Sequence, residues 1–140
     1  MARRSPVRDA LGLLMQRPDH RAWSIEELLT EVLRTGHRTN PSSILRAIVA
    51  MERAGAVQRV DLGDGLQRYE ATGEHHEHIQ CQRCGSVAEI GGCLLPDTAS
   101  RVRQLTGFEV TEHRLVLQGL CRECQEHRRA ELEQRLADLR

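Results

Sequence analysis

One stretch of the chain reads Glu74-His75-His76-Glu77-His78-Ile79-Gln80-Cys81-Gln82-Arg83-Cys84. A second Cys-x-x-Cys pair follows much later in the chain, at Cys121 and Cys124. Each pair supplies two adjacent corners of the thiolate tetrahedron that zinc prefers. Because four protein ligands close the coordination sphere, we predict a structural zinc site that ties together the two ends of the intervening segment. A disulfide or a redox dithiol is the alternative.

Composition limits the kind of protein that this chain can be. Its 140 residues include 2% aromatic residues and have a mean hydropathy of −0.49, so the core must be aliphatic. This length suffices for one ordinary domain or two small ones. A core with so few large side chains often needs a structural metal ion for stability. No apolar run approaches the roughly 18 residues of a membrane span, and no secretory segment begins the chain. We therefore predict a cytoplasmic protein, in which paired cysteines favour metal over disulfides.

The net charge of zero hides an uneven distribution. Residues 1–60 carry ten arginines against six acidic residues, whereas residues 61–140 carry ten arginines against fourteen acidic residues. The first part is therefore basic by four charges and the second part is acidic by four. This division favours one half that faces nucleic acid and another half that binds metal.

Helical signals fill the first third of the chain. Ser5-Pro6 begins an amphipathic pattern that predicts a helix over residues 5–17. Ser24 and Glu27 have the spacing of a capping box, and the helix that they begin is predicted to end at Gly36. A third helix is predicted over residues 42–53 by its apolar stripe.

Two predicted strands follow these helices, over residues 56–62 and 66–70, with Gly63-Asp64-Gly65 as the turn. Three helices and a hairpin predict a winged helix over residues 1–70. In that fold the third helix enters the major groove of double-stranded DNA and the hairpin is the wing. A small helical domain that carries a hairpin without binding DNA is the alternative.

The second half of the chain predicts a small α+β domain. Residues 71–75 are the expected hinge, and residues 76–124 are the expected dimerisation and metal-binding domain. Its predicted elements are strands at 79–80 and 87–90, a helix over 95–105, and strands at 108–113 and 114–117. Residues 125–140 are predicted as a charged helical tail, which either extends the dimer contact or lies in solvent. The predicted fold class is α+β, a winged helix followed by an α/β dimerisation domain with a four-cysteine structural zinc site.

Metal-ligand residue types also surround the first cysteine pair, at Glu70, His76, His78 and Glu89. Because side chains alternate along a strand, His76 and His78 are expected on one face, and His75 and Glu77 on the other. Imidazole with carboxylate suits several divalent ions. His75 and Glu77 are further expected to meet His113. A chance cluster of surface histidines and glutamates is the alternative.

Together these features resemble the ferric uptake regulator family. The shared features are a wing that ends in an acid, a histidine-rich run, Cys-x-x-Cys-Gly and a second Cys-x-x-Cys. The runs Leu105–Leu115 and Gly119–Cys121 are also similar to the C-terminal half of that family. The resemblance covers residues 3–124 and is most specific over 69–124. It implies a dimeric, metal-responsive repressor of metal-homeostasis genes, with promoter DNA and a second copy as partners, and with no membrane or small organic substrate.

The resemblance also implies roles for three sets of residues. A structural zinc ion is expected at Cys81, Cys84, Cys121 and Cys124. A regulatory site at the hinge is expected at Glu70, His76, His78 and Glu89, where bound metal draws the wing onto the dimer core and acts as corepressor. An auxiliary site is expected at His75, Glu77 and His113.

The chain departs from the family pattern at the regulatory site and at the auxiliary site. Ala22 stands where the family often has a hinge-site histidine, and His20 is the candidate replacement. Pro96 stands where the auxiliary site usually has an acid, so Asp97 or Cys93 is the candidate fourth ligand. For Cys93 we favour the interpretation that it is a small buried residue.

The third helix departs from the family as well. The family commonly has an aromatic residue followed by arginine there, whereas this chain has Leu45-Arg46. The residues that we expect to face DNA are Ser42, Ser43 and Arg46, with Arg53 and Arg59 nearer the phosphate backbone.

Several functions within and beyond the family compete. Fe2+ or Mn2+ is favoured as the regulatory ion, and Zn2+ follows because no cysteine before Cys81 is available to assist a zinc sensor. A peroxide sensor is a third option, although such sensors usually place aspartate where this chain has Glu70 and Glu89. A metal-binding module with altered DNA binding is a further alternative. An enzyme is not predicted, because no nucleophile and base recur around the metal ligands.

Overall fold

A computed structural model describes residues 5–18 and 22–140 of the chain. The chain divides into two compact units, with the boundary between Glu74 and His75. Each unit is described below by itself. The hinge-site candidate His20 lies outside the described residues.

The first unit begins with three helices: α1 (Pro6–Met15), α2 (Ile25–Arg34) and α3 (Pro41–Arg53). The predicted capping box of α2 is confirmed, since the Ser24 hydroxyl accepts from Glu27 N at 3.2 Å and the Glu27 carboxylate accepts from Ser24 N at 2.8 Å. Helix α3 begins one residue before its predicted start, because Asn40 Oδ1 accepts from Ser43 N at 2.9 Å and Pro41 fits the first helical position.

An antiparallel hairpin completes the first unit, with strands β1 (Val57–Asp61) and β2 (Gln67–Ala71). Its turn is held by Asp64, whose carboxylate accepts two hydrogen bonds from the buried Arg68 guanidinium at 2.9 and 2.8 Å. The hairpin also joins the connection before α2, because Trp23 and Tyr69 exchange two backbone hydrogen bonds of 2.8 Å. The observed order of elements is that of a winged helix.

The core of the first unit lies between the three helices and the hairpin. Its fully buried aliphatic residues come from one face of each helix: Leu11, Leu28, Val32, Ile44 and Ile48. Tyr69 contributes from β2, and Val57 from β1. This packing fixes which face of α3 remains outside the core.

Replacing Ser24 with alanine is expected to destabilise the first unit by about 1 kcal/mol, because the hydrogen bond that the Ser24 hydroxyl accepts from Glu27 N at the start of α2 is lost. Trp23 is the only tryptophan of the chain, so its fluorescence during urea unfolding reports on this unit. Thr30→Ala is the matched control, since the Thr30 hydroxyl bonds only to the exposed Glu26 carbonyl oxygen of the same helix. Equal unfolding midpoints for the two variants would contradict the assigned cap.

The second unit contains a three-stranded sheet in the order β4-β3-β5. Strand β3 (His76–Cys81) pairs antiparallel with β4 (Val87–Gly91) and parallel with β5 (Val116–Gly119). Helix α4 (Thr98–Thr106) lies between β4 and β5 in the chain, and helix α5 (Arg122–Asp138) follows β5. The parallel pairing puts the end of β5 beside Cys81, which is where the second cysteine pair begins.

The structure corrects several predicted elements of the second unit. Residues 108–113 are not a strand and pair with none of the three strands of this unit, and Phe108 is exposed. The strand predicted at 114–117 lies instead at 116–119, in register with β3. Helix α4 begins at Thr98, after a turn closed by Thr98 N and the Leu95 carbonyl oxygen.

The charged tail is helical, as predicted, and α5 begins early enough to include Cys124. Arg83 donates to Glu131, which connects the first cysteine pair to the middle of this helix. The leucines along the tail are exposed: Leu132, Leu136 and Leu139. None of the helices in residues 5–18 and 22–140 combines the length and apolar character that crossing a membrane requires.

The second unit buries few apolar side chains. Within residues 75–140, the buried ones are Cys81, Val87 and Cys124, and two of these three are cysteines of the predicted zinc site. Several polar side chains are buried beside them: Glu77, His78 and Gln80. A core of this composition contributes little hydrophobic stabilisation within one chain, so metal binding by its polar groups and cysteines is expected to contribute strongly to its stability.

Candidate functional site

The four predicted cysteines form one group in the second unit. Cys81 ends β3, Cys84 lies in the turn that follows, Cys121 occupies the N-cap position of α5, and Cys124 lies in its first turn. Their sulfur atoms all lie within 4.8 Å of one another, and Cys84 Sγ is 3.7 Å from Cys121 Sγ. Zinc–sulfur bonds in a tetrahedron separate the sulfurs by about 3.8 Å, whereas a disulfide holds them about 2 Å apart. The geometry fits zinc.

The pKa values of two thiols in this group are shifted in opposite directions. Backbone N–H groups of Cys84 and Cys121 donate towards Cys81 and lower the pKa of its thiol to about 6. Burial, together with the neighbouring thiols, raises the pKa of Cys124 to about 12. The raised pKa of Cys124 disfavours its thiolate in the absence of a cation, and a divalent ion bound to the sulfur would favour deprotonation.

A second group lies at the other end of β3 and consists of His75, Glu77, Cys93 and His113. Glu77 Oε1 is 2.9 Å from His75 Nε2 and 3.2 Å from His113 Nε2. Cys93 Sγ is 3.5 Å from His113 Nε2. The prediction that Cys93 is buried is wrong, since its side chain is exposed at the edge of the group. The other candidate, Asp97, lies outside the group, at the N-cap position of α4.

Glu77 is the fixed centre of this second group. Its side chain is 1% exposed, and Oε2 accepts a hydrogen bond from Leu115 N at 3.2 Å. Burial alone raises the pKa of Glu77, but hydrogen bonds from His75 and His113 outweigh it and hold the pKa below its usual value. Glu77 is therefore a carboxylate anion at neutral pH, with both imidazoles within hydrogen-bonding distance of it.

A third group occupies the opposite side of β3, where His76 and His78 lie with Glu89 of β4. One ligand atom from each of the three residues lies within 4.8 Å of the others, and the two imidazole rings are 4.8 Å apart. His78 is the register partner of Glu89 in the β3–β4 ladder. The alternation along β3 thus separates His76 and His78 from His75 and Glu77.

Two other hinge-site positions lie in the first unit. Glu70 is buried in β2 and accepts from Gln58 Nε2 at 2.7 Å. Ala22, which stands in place of a family histidine, is buried and has no donor atom in its side chain. Of these two described positions, Glu70 therefore offers a carboxylate as a candidate metal ligand, and Ala22 offers none.

The predicted DNA-facing residues lie on the outer side of α3 and on the adjacent strand. Ser42, Arg46 and Arg53 are exposed, and Arg46 donates to the half-buried Ser43 hydroxyl at 3.3 Å. Arg59 is exposed on β1 but is bound to Glu52 through two hydrogen bonds of 2.7 and 3.2 Å. Sequence reasoning missed this ion pair, because the seven-residue separation of its partners crosses a helix end and has no local pattern.

Comparisons with known proteins agree with this geometry. The sequence profile of the ferric uptake regulator family matches residues 2–118. A ferric uptake regulation protein from Neisseria gonorrhoeae is 30% identical over 103 residues, which are 73% of this chain and 72% of that protein. A structure of a zinc-bound manganese uptake regulator is 28% identical, with a TM-score of 0.69 over 85% of this chain and 90% of that one. The fold also matches an iron-containing ferric uptake regulator from Francisella tularensis, with a TM-score of 0.75 and 22% identity over 88% of this chain and 94% of that one. The chain therefore belongs to the ferric uptake regulator family of metal-responsive transcriptional regulators, as its motifs predicted.

Proposed function

We propose that this protein is a metal-dependent repressor that binds promoter DNA as a homodimer in the cytoplasm. The observation that carries the proposal is the set of three candidate metal groups in the second unit, which follows a winged helix. One group has four cysteines, which would complete a tetrahedron. The other two groups are built around histidine and glutamate. The closed group suits a permanent structural zinc ion, and the open groups suit exchangeable ions. Residues 1–70 act as the DNA-binding domain, 71–75 as the hinge, 76–124 as the dimerisation domain and 125–140 as the tail.

The regulatory ion is proposed to bind Glu70 with His76, His78 and Glu89. Support comes from the three donors that gather in the second unit and from the short connection of five residues between Glu70 and His76. A mixed nitrogen and oxygen set suits Fe2+ or Mn2+, with Zn2+ as a further candidate. Ala22 supplies no ligand, so the proposed site consists of these four residues, with His20 as the candidate for a further ligand. Bound metal favours the DNA-binding arrangement by its higher affinity for that arrangement.

DNA contact is assigned to the outer side of α3. Ser42, Ser43 and Arg46 face the major groove in this proposal, while Arg53 and Arg59 approach phosphates. Arg59 must share its guanidinium with Glu52, so its attraction for phosphate is weaker than that of Arg53. Exposed apolar side chains of the second unit support dimerisation there: Leu94, Leu95, Leu105 and Phe108.

Replacing Arg46 with alanine is expected to weaken promoter binding at least tenfold and to reduce the slope of log affinity against log salt by about one. The reason is the loss of an exposed guanidinium from the DNA-facing side of α3. Fluorescence anisotropy over a salt series measures both quantities. Arg128→Ala, which removes an exposed arginine from α5, is the control and should bind as the unaltered protein does. Identical behaviour of the two variants would remove Arg46 from the interface.

The proposal as a whole is tested by binding to the promoter of the protein's own gene with and without added Mn2+, Fe2+ or Zn2+. We expect tight binding only with metal. Failure to bind any promoter fragment under every metal condition would contradict the repressor and favour a metal-binding module with altered DNA binding. That second function is favoured by one observation, the exposed Leu45 where the family commonly has an aromatic residue.

A further inference from the structure

We propose that Cys93 is the fourth ligand of the second group, and that its thiolate makes this group a zinc site distinct in ion preference from the hinge. The inference rests on the proposed function, in which His75, Glu77 and His113 hold a metal ion. It goes further by naming the remaining ligand and the class of ion. Of the two candidates named from the sequence, Cys93 lies in the group and Asp97 lies outside it.

Interatomic distances around His113 support this assignment. Zinc bonds of ordinary length in a tetrahedron separate a nitrogen ligand from a sulfur ligand by about 3.6 Å and from an oxygen ligand by about 3.4 Å. The corresponding distances are 3.5 Å from His113 Nε2 to Cys93 Sγ and 3.2 Å from His113 Nε2 to Glu77 Oε1. The His75 Nε2 to Glu77 Oε1 distance is shorter, at 2.9 Å, and all four ligand atoms lie within 4.8 Å of one another, so small side-chain shifts would bring them around one ion.

The backbone explains how Cys93 reaches the group. After β4, Gly92 adopts a left-handed conformation with φ of 82°, and its N–H donates to the His75 carbonyl oxygen at 3.2 Å. This bond returns the chain to the start of β3, so that the next residue, Cys93, lies beside His75 and His113. A side chain at position 92 would be strained in this conformation, since glycine alone adopts it without cost.

The chemistry of the four donors then selects the ion. A thiolate, a carboxylate and two imidazoles combine one soft ligand with borderline and hard ones, which suits Zn2+ and disfavours Mn2+. The two anionic ligands also balance the charge of a divalent ion. By contrast, the donors of His76, His78 and Glu89 include no sulfur. The two faces of β3 are thus expected to prefer different ions, and the exposed Cys93 leaves its side of the group open to solvent.

The test uses the full-length protein after mild chelation, with zinc retained at the four paired cysteines and verified by elemental analysis. Added Co2+ serves as the probe, because thiolate ligation gives a charge-transfer absorption band in the near ultraviolet. We expect the band in the unaltered protein and in Glu89→Gln, which changes the other face of β3, but not in Cys93→Ser. We also expect Cys93→Ser to weaken Zn2+ binding at least tenfold and to leave Mn2+ binding within about twofold.

Two results separate this inference from the proposed function. A Cys93→Ser variant that keeps both the band and the Zn2+ affinity would overturn the assignment of Cys93, whatever the promoter experiment gives. If His113→Ala binds Zn2+ as tightly as the unaltered protein does, the second group itself is not a metal site. Loss of promoter binding alone leaves the cobalt result unchanged, because that result does not depend on DNA.

Discussion

Replacing Cys121 with serine is expected to unfold the second unit and to leave the chain without firmly bound zinc. The unit buries few apolar side chains, and two of its cysteines, Cys81 and Cys124, are among them. Zinc binding to four such ligands contributes about 10–16 kcal/mol in small zinc domains, which is comparable with the whole stability of a domain, about 5–15 kcal/mol. Losing one corner of the tetrahedron therefore removes the main stabilising interaction of this unit.

Zinc content after mild chelation and far-ultraviolet circular dichroism measure this effect together. The matched control is Cys93→Ser, which removes a cysteine from the same unit but from outside the four-cysteine group. We expect one retained zinc ion per chain for the control and none for Cys121→Ser. Trp23 fluorescence should stay native in both, since Trp23 lies in the first unit. A folded Cys121→Ser protein with its zinc retained would show that the four cysteines are not the structural site.

Replacing His76 with alanine is expected to abolish the effect of metal on DNA affinity without unfolding the protein. His76 is half-buried at the start of β3, and its ring lies beside that of His78. Coupling between a regulatory ligand and a second site typically changes affinity by about 5- to 150-fold. We expect the DNA affinity of the unaltered protein with Mn2+ to exceed its affinity without Mn2+ by a factor in this range. For the variant we expect the two DNA affinities to be nearly equal.

The metal-free affinity of His76→Ala should equal that of the unaltered protein, because the substitution removes a metal ligand and no DNA contact. His127→Ala, on the exposed side of α5, is the control for loss of a histidine. Anisotropy titrations with a promoter duplex give both affinities. An unchanged response to Mn2+ in His76→Ala would exclude this histidine from the regulatory site, while leaving the structural zinc assignment intact.

The features that could be predicted from sequence are those fixed by short spacings. The Cys-x-x-Cys pairs, the Ser24–Glu27 capping box and the alternation of histidines along β3 each depend on residues within a few positions of one another. A strand places alternate side chains on opposite faces wherever it occurs, so the separation of His75 from His76 followed from their order alone. These expectations needed no knowledge of the tertiary contacts.

The predictions that were wrong concern features that depend on residues far apart in the chain. Residues 108–113 have strand-like composition, but a strand also needs a neighbour to pair with, and these residues pair with none of the strands within residues 75–140. Cysteine is a small residue type that is often buried, which is why Cys93 was predicted to be buried. The turn at Gly92 instead brings Cys93 to the exposed edge of the second group. In both cases the deciding contact is made by another part of the chain, which local pattern does not reveal.

The parallel pairing of β3 with β5 has a consequence for the order in which metals are acquired. Cys81 is the last residue of β3 and pairs with Gly119, two residues before Cys121. A zinc ion bound to the four cysteines would therefore fix the register of β3, in which a slip of one residue would turn every histidine on that strand to the opposite face. If zinc occupies the four cysteines as proposed, we expect it to bind first, and we expect protein made without zinc to lose its response to the regulatory ion.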